Sequence, residues 1–577
     1  TIVGLQSIIL KIVADFSSLP YHARLYLDAF TRALYRMTIS KKKLLSWITS
    51  EEAAKNTSNT LDTYLIKFQS NYWFCLILIL LVLWLNPINI FAVLMISIVF
   101  LASPLYFYLM GQPVTERTIL LSKKQQEDLF DLAKKTWRYF DQALTPENHY
   151  LIPDNYQKNR EEVYDIKTSA TDISFSILSV ISAYKLQIIS KKRAFFLLDN
   201  ILTTIEELKK WNGHLYNWYN IKTKEPMFPY YVSTIDSGNL IASLIVLKEL
   251  YHDEQEEAFV KRCELLIQKA DFKKLFSKET NTFAVGYDSL EEKKSPFHYD
   301  KFASESRLTS YIAIAKGDVS YKHWFALDKS LTKFHQYKGL LSWSGTSFEY
   351  YMPLLFMNDY PNTLIDESYF FAMYCQKEYQ KETYPNLPWG VSEAAYDVLD
   401  NAKNYKYKAF GTPYLKFQSI DTDRKVISPY ASLIALTKNP EEVYKNYQRW
   451  KKINMVGEFG CYESYDIDDK EIIYAYFAHH QGMILTSLAN YLGNHTIQKY
   501  FQQDIEIEAF DILNKEKLQI KPMIDMKIRR YKAQEYLKEP LENDVRVYRE
   551  IQQYPEVSAL SNARYMILMN ERGNGFS

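Results

Sequence analysis

The chain has 577 residues, with 69 Lys and Arg against 68 Asp and Glu, and 47 Tyr, 32 Phe and 10 Trp. Such a length exceeds one ordinary core, so more than one folding unit is expected, and the net charge of +1 excludes a nucleic-acid footprint or an acidic polymer as substrate. The excess of tyrosine over phenylalanine favours rings that stack on one face and hydrogen-bond at the rim, as in sugar-binding clefts; a low-GC genome gives the same excess.

Residues 1–67 read as amphipathic helices, for example "YHARLYLDAFTRALYRMTIS". From Phe68 to Thr115 no residue is charged, and two apolar runs are divided by Asn86-Pro87. Residues 68–115 are therefore expected to form two transmembrane helices turning at Asn-Pro, with a single broken helix or a monotopic anchor as the alternative. Both flanks are basic, with Lys41 to Lys43 and Lys67 before, and Arg117, Lys123 and Lys124 after, which places both on the cytoplasmic side. The four cysteines (Cys75, Cys263, Cys375 and Cys461) are scattered, as in a reducing compartment. The chain opens on Thr1 without a signal-peptide pattern, and is expected to be a segment of something larger.

Beyond residue 116 the helical stretches recur to about 540. The first is "SKKQQEDLFDLAKKTWRYFDQAL", starting from the cap-like Ser122, and aromatic, Gly/Pro-containing connectors rather than alternating strands separate the later ones. This predicts an all-α domain over 116–540 whose functional residues gather in loops, and a helical toroid fits its size and rhythm. Glu305, Glu349 and Glu393 are spaced 44 residues apart, about one helical hairpin each, and Glu463 follows. Acids repeated in this way supply what glycoside chemistry needs, one to protonate the leaving oxygen and another as base or nucleophile.

In "HLYNWYNIKTKEPMFPYYVSTIDSGNL", Asp236 precedes Ser237, Gly238 and Asn239 at a helix start, where it is an N-cap, a sugar contact or both. Trp218, Tyr219, Tyr230 and Tyr231 are the neighbouring rings expected to stack on glucose or bond its hydroxyls. Asp154, Asn155, Trp343 and Trp389 are read in the same way, and Tyr350 and Tyr462, flanking two of the acids, join the sugar-facing set. His479, His480 and Gln481 form no metal motif and are counted with the sugar-facing residues; one histidine is expected to bond a sugar hydroxyl or orient an acid and the other to be structural. "DIDD" at Asp466–Asp469 reads as a solvated turn. With no phosphate-cradling glycine loop, neither metal nor cofactor is expected.

"RYFDQALTPENHYLIPDNYQ", "FASESRLTSYIAIAKGDV", "WSGTSFEYYMPLL", "LPWGVSEAAYD", "YKAFGTPYL", "ISPYASLIAL" and "YFAHHQGM" stand in an order that resembles the central, glucoamylase-like domain of cyclic β-1,2-glucan synthases. The resemblance covers nearly the whole chain. It implies an (α/α)6 toroid that cleaves linear β-1,2-glucan and joins the new end to the chain's own non-reducing end, with retention of configuration, giving cyclic β-1,2-glucan. It further implies an inner-membrane enzyme with its catalytic domain facing the cytoplasm. A glucosyltransferase domain would precede this chain, and residues 541–577 would open a phosphorylase-like domain. Glu349 sits where related glucanases place their general acid. Glu463 lies in the loop before the final helices and is a candidate nucleophile or base, with Glu393 as the other candidate for that role. An endo-β-1,2-glucan hydrolase and a non-catalytic glucan-holding membrane module are the competing readings.

Overall fold

The computed structural model describes residues 2–42, 57–112, 120–160, 162–400, 403–417, 424–517, 557–561, 565–570 and 572–577. The chain divides into two compact units, residues 1–118 and 119–577. Lys43, Arg117 and the expected boundary at 540/541 lie outside the described residues.

The first unit is helical: α1 (Ile2–Ser17), α2 (Leu19–Tyr35), α3 (Leu61–Lys67), α4 (Gln69–Leu85) and α5 (Ile90–Met110). Helices α4 and α5 pack on each other about a turn at Asn86-Pro87, where the proline opens a short 3₁₀ segment. Pro87–Met110, 24 residues with a mean hydropathy of 2.4, is long and apolar enough to cross a membrane. The other arm reaches that length only if α3 and α4, bent by 48° about Phe68, count as one span. Asn71 is buried inside the hairpin, its amide donating to the carbonyls of Ser17 and Phe100 and to Ser103 Oγ. Those bonds offset the cost of an amide among apolar side chains.

The second unit alternates two kinds of helix. Helices α6 (Lys123–Ala143), α8 (Lys191–Glu207), α10 (Glu257–Lys269), α12 (Lys322–Ala326), α14 (Leu364–Thr383) and α16 (Pro440–Lys452) are the outer ones. The longer of them bury one stripe, as α6 does with Leu129, Leu132, Ala133, Thr136, Trp137 and Phe140. Between them come α7 (Ala170–Lys185), α9 (Thr234–Asp253), α11 (Ser306–Ala315), α13 (Ser347–Tyr351), α15 (Pro429–Leu433) and α17 (Ala478–Leu492). Helix α7 is buried from Ala170 through Ala183 and α11 over its whole length. A helix apolar or small on every side can only be an inside helix. Side by side run α13, α15, α17, α7, α9 and α11, each backed by an outer helix, and α6 packs on both α17 and α7. The result is a two-layer α/α toroid.

The connectors differ from the strandless loops that the sequence suggested. They carry short antiparallel pairs, such as Ala394–Leu399 with Tyr405–Lys408, and Tyr231–Ser233 with Gly286–Asp288. These strands are two to six residues long, too short for periodicity to register. One pair joins distant parts of the chain, setting Asn155 opposite Phe477 and Gln157 opposite Ala475. Residues 557–577 include a separate exposed meander of three strands.

Candidate active site

The candidate residues gather where the connectors enter the inner helices. Ser169, Ser233 and Thr346 cap α7, α9 and α13 through the backbone N–H three residues on, and that third residue is an acid each time: Asp172, Asp236 and Glu349. Ser/Thr-x-x-acid is a helix-start signature, and negative charge is stabilised there by the helix dipole. Asp236 accepts a short hydrogen bond from Thr171 Oγ1, which accepts in turn from Asn239 Nδ2 at 3.0 Å. Burial raises the Asp236 pKa despite these donors. The N-cap expected at Asp236 is instead Ser233: the helix starts earlier than the Ser-Gly-Asn run suggested, and Asp236 stands three residues inside it, half-buried.

Glu349 lies 4% exposed, with both carboxylate oxygens occupied. Oε1 accepts the N–H of Ser344 at 2.9 Å; Oε2 accepts Ser342 Oγ and the Thr346 N–H, each at 2.9 Å, and Thr346 Oγ1 at 3.2 Å. Burial outweighs these donors and leaves its pKa raised. Glu305, at the N-cap of α11, is half-buried and accepts a hydrogen bond from Ser304 Oγ at 3.0 Å. Burial, with the charges of Glu349 and Glu393, pushes Glu305 up to about 8. Glu393 is also half-buried, and its carboxylate has no hydrogen-bond partner among the described residues. Burial and Glu349 raise it to about 7, with the imidazole of His479 pulling the other way. The three evenly spaced acids therefore meet electrostatically in one place. Glu305 was visible to sequence reasoning only through that spacing.

Glu463 is almost fully buried. Its Oε1 accepts the Ala395 N–H at 3.1 Å and its Oε2 accepts His480 Nδ1–H at 2.8 Å. His480 Nε2 lies 3.2 Å from the Tyr407 hydroxyl, and the Tyr430 ring stacks on the imidazole with centroids 3.6 Å apart. Burial holds His480 down at about 4, so it is neutral, with Nδ1 protonated toward the carboxylate and Nε2 accepting from Tyr407. His480 orients an acid, as expected of one of the two histidines. Burial lowers the pKa of His479 too, but the hydrogen bond to Asp172 and the charges of Asp172, Asp154 and Glu463 outweigh it and leave His479 at about 9.

Asp154 is buried beside this pair. Burial and the charge of Asp172 raise it to about 7 against the pull of Lys167 and His479. Asn155 donates to Asp154 Oδ2 at 2.8 Å and accepts from Arg160 at 2.7 Å, so it braces the acid rather than facing the cleft. Ligand atoms of Asp154, Asp172 and His479 lie within 4.8 Å of one another, close enough for one cation.

The rings divide. Trp218 is half-buried, with Lys167 Nζ 4.1 Å over its ring and 4.0 Å from Asp154, at the edge of the acid cluster. Tyr231 is half-buried and acts electrostatically on the Asp236 side. Trp343, also half-buried, donates Nε1–H to Asp300 at 2.8 Å, next to the Ser344 that binds Glu349. Besides Asn155, five more expected sugar contacts are structural. Tyr219 is fully buried and donates to the Lys209 carbonyl, and Tyr350 is fully buried and donates to that of Leu340. Trp389 is in the core at 2% exposure. Tyr462 turns from Glu463 to pack on Tyr474 and Tyr476, because successive residues of an extended segment face opposite ways. Gln481 is buried and donates to the Cys461 carbonyl. Asp466 of "DIDD" is likewise no solvated turn residue, being fully buried and ion-paired to Arg424. Sequence reasoning missed Asp172, Tyr407 and Tyr430; Ser169-x-x-Asp172 was the available signal for the first.

These features define a class by fold, the glucoamylase-like α/α toroids. A family model described as "Putative glucoamylase" matches residues 297–504, and one described as a protein of unknown function (DUF3131) matches residues 131–308. An endo-β-1,2-glucanase from Chitinophaga pinensis, solved with sophorotriose and glucose, superposes with a TM-score of 0.59 at 17% identity, covering 69% of this chain and 99% of that one. A Talaromyces funiculosus endo-β-1,2-glucanase, solved with sophorose, gives a TM-score of 0.55 at 14% identity, covering 69% and 91%. More particularly, the chain is homologous over 96% of its length to the cyclic β-(1,2)-glucan synthase NdvB of Rhizobium meliloti, at 27% identity. It spans 24% of that relative's length. The resemblance drawn from the ordered motifs is thus borne out.

Proposed function

We propose that this chain is a retaining transglycosylase that cleaves linear β-1,2-glucan and closes the new end onto the chain's own non-reducing end. The observation that carries the reading is the near-complete alignment with a cyclic β-(1,2)-glucan synthase over a toroid whose acids converge at one end of the inner helices. Glu305 and Glu393 supply two carboxyls that burial and the charge of Glu349 both raise, to about 8 and about 7, into the range where one can serve as acid and the other as base or nucleophile. Glu305 keeps its proton to the higher pH and acts as general acid toward the leaving oxygen. Glu393 ionises first, under His479, and attacks the anomeric carbon to form a glycosyl-enzyme. In the second step the 2-hydroxyl of the chain's own non-reducing end attacks that carbon, Glu305 takes its proton, and Glu393 leaves. Glu349, with its oxygens occupied, stands behind the pair and raises both rather than serving as the acid itself.

The wider arrangement belongs to the same proposal: six helix pairs closing an (α/α)6 toroid, a membrane hairpin over 68–115, and a catalytic domain on the cytoplasmic face of the inner membrane. A glucosyltransferase domain precedes it and a phosphorylase-like domain follows it. A hydrolase is the second reading, favoured by the fold shared with two endo-β-1,2-glucanases.

Mass spectrometry of products from the full chain and linear β-1,2-glucan separates the readings. Products one water lighter than linear chains of equal length support cyclisation. Shorter linear chains alone make the protein a hydrolase, and unchanged glucan leaves a glucan-holding module.

A further inference from the structure

Glu463 reads in the sequence as a candidate nucleophile or base, yet its surroundings leave nothing to attack with. Its side chain is 0% exposed, and each carboxylate oxygen receives a protein donor, Ala395 N–H on one and His480 Nδ1–H on the other. A glucose carbon reaches either oxygen only by displacing the start of the Ala394–Leu399 strand or the first turn of α17.

What Glu463 holds is the segment that carries Glu393. Ala395 is two residues beyond Glu393, and its N–H is fixed by Glu463 while its carbonyl accepts from Ser464 Oγ. The Glu393 carbonyl accepts from the Tyr430 hydroxyl at 2.8 Å, and the Tyr430 ring lies against His480. The backbone of Glu463 is pinned by its own N–H to the Ala475 carbonyl and by Ser428 Oγ on its carbonyl. Among the described residues the Glu393 carboxylate has no hydrogen-bond partner, so its aim is set by its backbone. Glu463 and the ring stacked on its histidine hold that backbone from one side, while the pairing of Ala394 and Ala395 with Lys408 and Tyr407, and the bonds of Gln376 to Val391, hold it from the other.

We propose that Glu463 is a positioning residue, the hub of a Glu463–His480–Tyr407 relay that, with Tyr430, aims Glu393 at the glucan, and that it is not the second catalytic carboxylate. The proposal rests on the reading that Glu393 is that carboxylate.

The test uses the full chain acting on linear β-1,2-glucan with and without sodium azide. Removing a nucleophilic carboxylate leaves room for azide to attack from the same face. Azide is thus expected to restore turnover in Glu393→Gly, with a glucosyl azide of inverted configuration, and to do nothing for Glu463→Gly. Glycine at a buried site also loosens the fold, so two closer replacements accompany it, with thermal melting recorded for each. Glu463→Gln lowers kcat about 10²-fold with little change in KM, as misaiming a reacting group does. His480→Asn, which keeps a donor toward Glu463, stays within about tenfold of wild type, whereas His480→Ala falls with Glu463→Gln. Azide rescue of Glu463→Gly with formation of a glucosyl azide overturns the proposal, as do wild-type rates in both Glu463→Gln and His480→Ala. Full activity in Glu393→Gly is a different failure, one that removes the catalytic assignment beneath it.

Discussion

His479 Nδ1 lies 3.3 Å from a carboxylate oxygen of Asp172, and this pair places a protonated imidazole among five carboxyls of the site. The charge lowers Glu393, Asp236 and Asp154, each of which burial raises. Replacing His479 by Gln removes a positive charge near Glu393, so Glu393 ionises at higher pH. Glu393 works ionised, and its titration forms the acidic limb of kcat/KM. That limb is expected to move upward on the order of one pH unit in His479→Gln, while the alkaline limb, set by Glu305, moves little. A pH profile of both proteins checks this. Movement of the acidic limb to lower pH contradicts the assignment of Glu393.

The same crowding costs stability. Glu305 rises from an ordinary 4.5 to about 8, so the folded state holds its proton more tightly than the unfolded chain does. A group of this sign favours folding fully below about pH 4.5 and loses that contribution as pH rises through about 8. Glu305→Gln removes the titration. Its Tm is expected to match wild type near pH 4.5 and to exceed it by roughly 2–4 °C at pH 8–9 while activity is lost. Thermal melts across that range decide it; equal Tm values at both ends would show that the carboxyl is solvated in the folded protein.

Glu349→Gln separates the roles of the acids further. It removes the charge that raises both Glu305 and Glu393 but leaves a side chain able to accept at the cap. Both limbs of the pH profile are expected to shift downward together, with activity at the new optimum reduced less than the 10²–10⁴-fold that loss of a general acid brings. A drop of that full size with no shift in either limb would return Glu349 to the role that its sequence position suggested.

The helices, the hairpin at Asn86-Pro87 and the Ser122 start of α6 were legible because each rests on local chemistry: hydrophobic period, proline geometry and a serine cap. What stayed hidden depends on contacts across the sequence. Glu463 takes its donor from Ala395, 68 residues away, so its occupied oxygens have no local signature. Glu349 and Glu305 look alike in sequence, and only their surroundings make one saturated and the other half free. For aromatic residues the composition pointed to sugar contacts but could not give ring direction, so Trp218 and Trp343 stay half-exposed while Tyr219, Tyr350 and Trp389 fill the core.

That division has its own consequence. Trp389→Ala is expected to destabilise the protein by about 3–5 kcal/mol, the usual cost of emptying a buried tryptophan site, with KM for glucan changed little in whatever remains folded. Trp218→Ala should do the opposite, raising KM with a small change in Tm, since its ring is half-exposed beside Lys167 and Asp154. Denaturant unfolding with steady-state kinetics on both variants distinguishes them. Matching losses of stability would place Trp218 in the core with Trp389.

Gly238 sits two residues past Asp236 on α9, against Thr309 of α11. A Cβ at this position would overlap Thr309 Oγ1 and stand 3.0 Å from the Thr309 Cα, so side-chain rotation alone cannot clear it and the backbones must part. In open helical positions alanine is the more favourable residue by about 1 kcal/mol, and steric overlap between two buried helices reverses that preference. Gly238→Ala is therefore expected to lower stability by about 1–3 kcal/mol. It should also displace the start of α9, so that kcat falls by more than the folded fraction accounts for. Melting curves and kcat normalised to folded protein test both parts. A variant as stable as wild type would mean that α9 and α11 have slack at this contact, and that Asp236 owes its position to bonds such as those with Ser233 and Thr171 rather than to the close approach of the two helices.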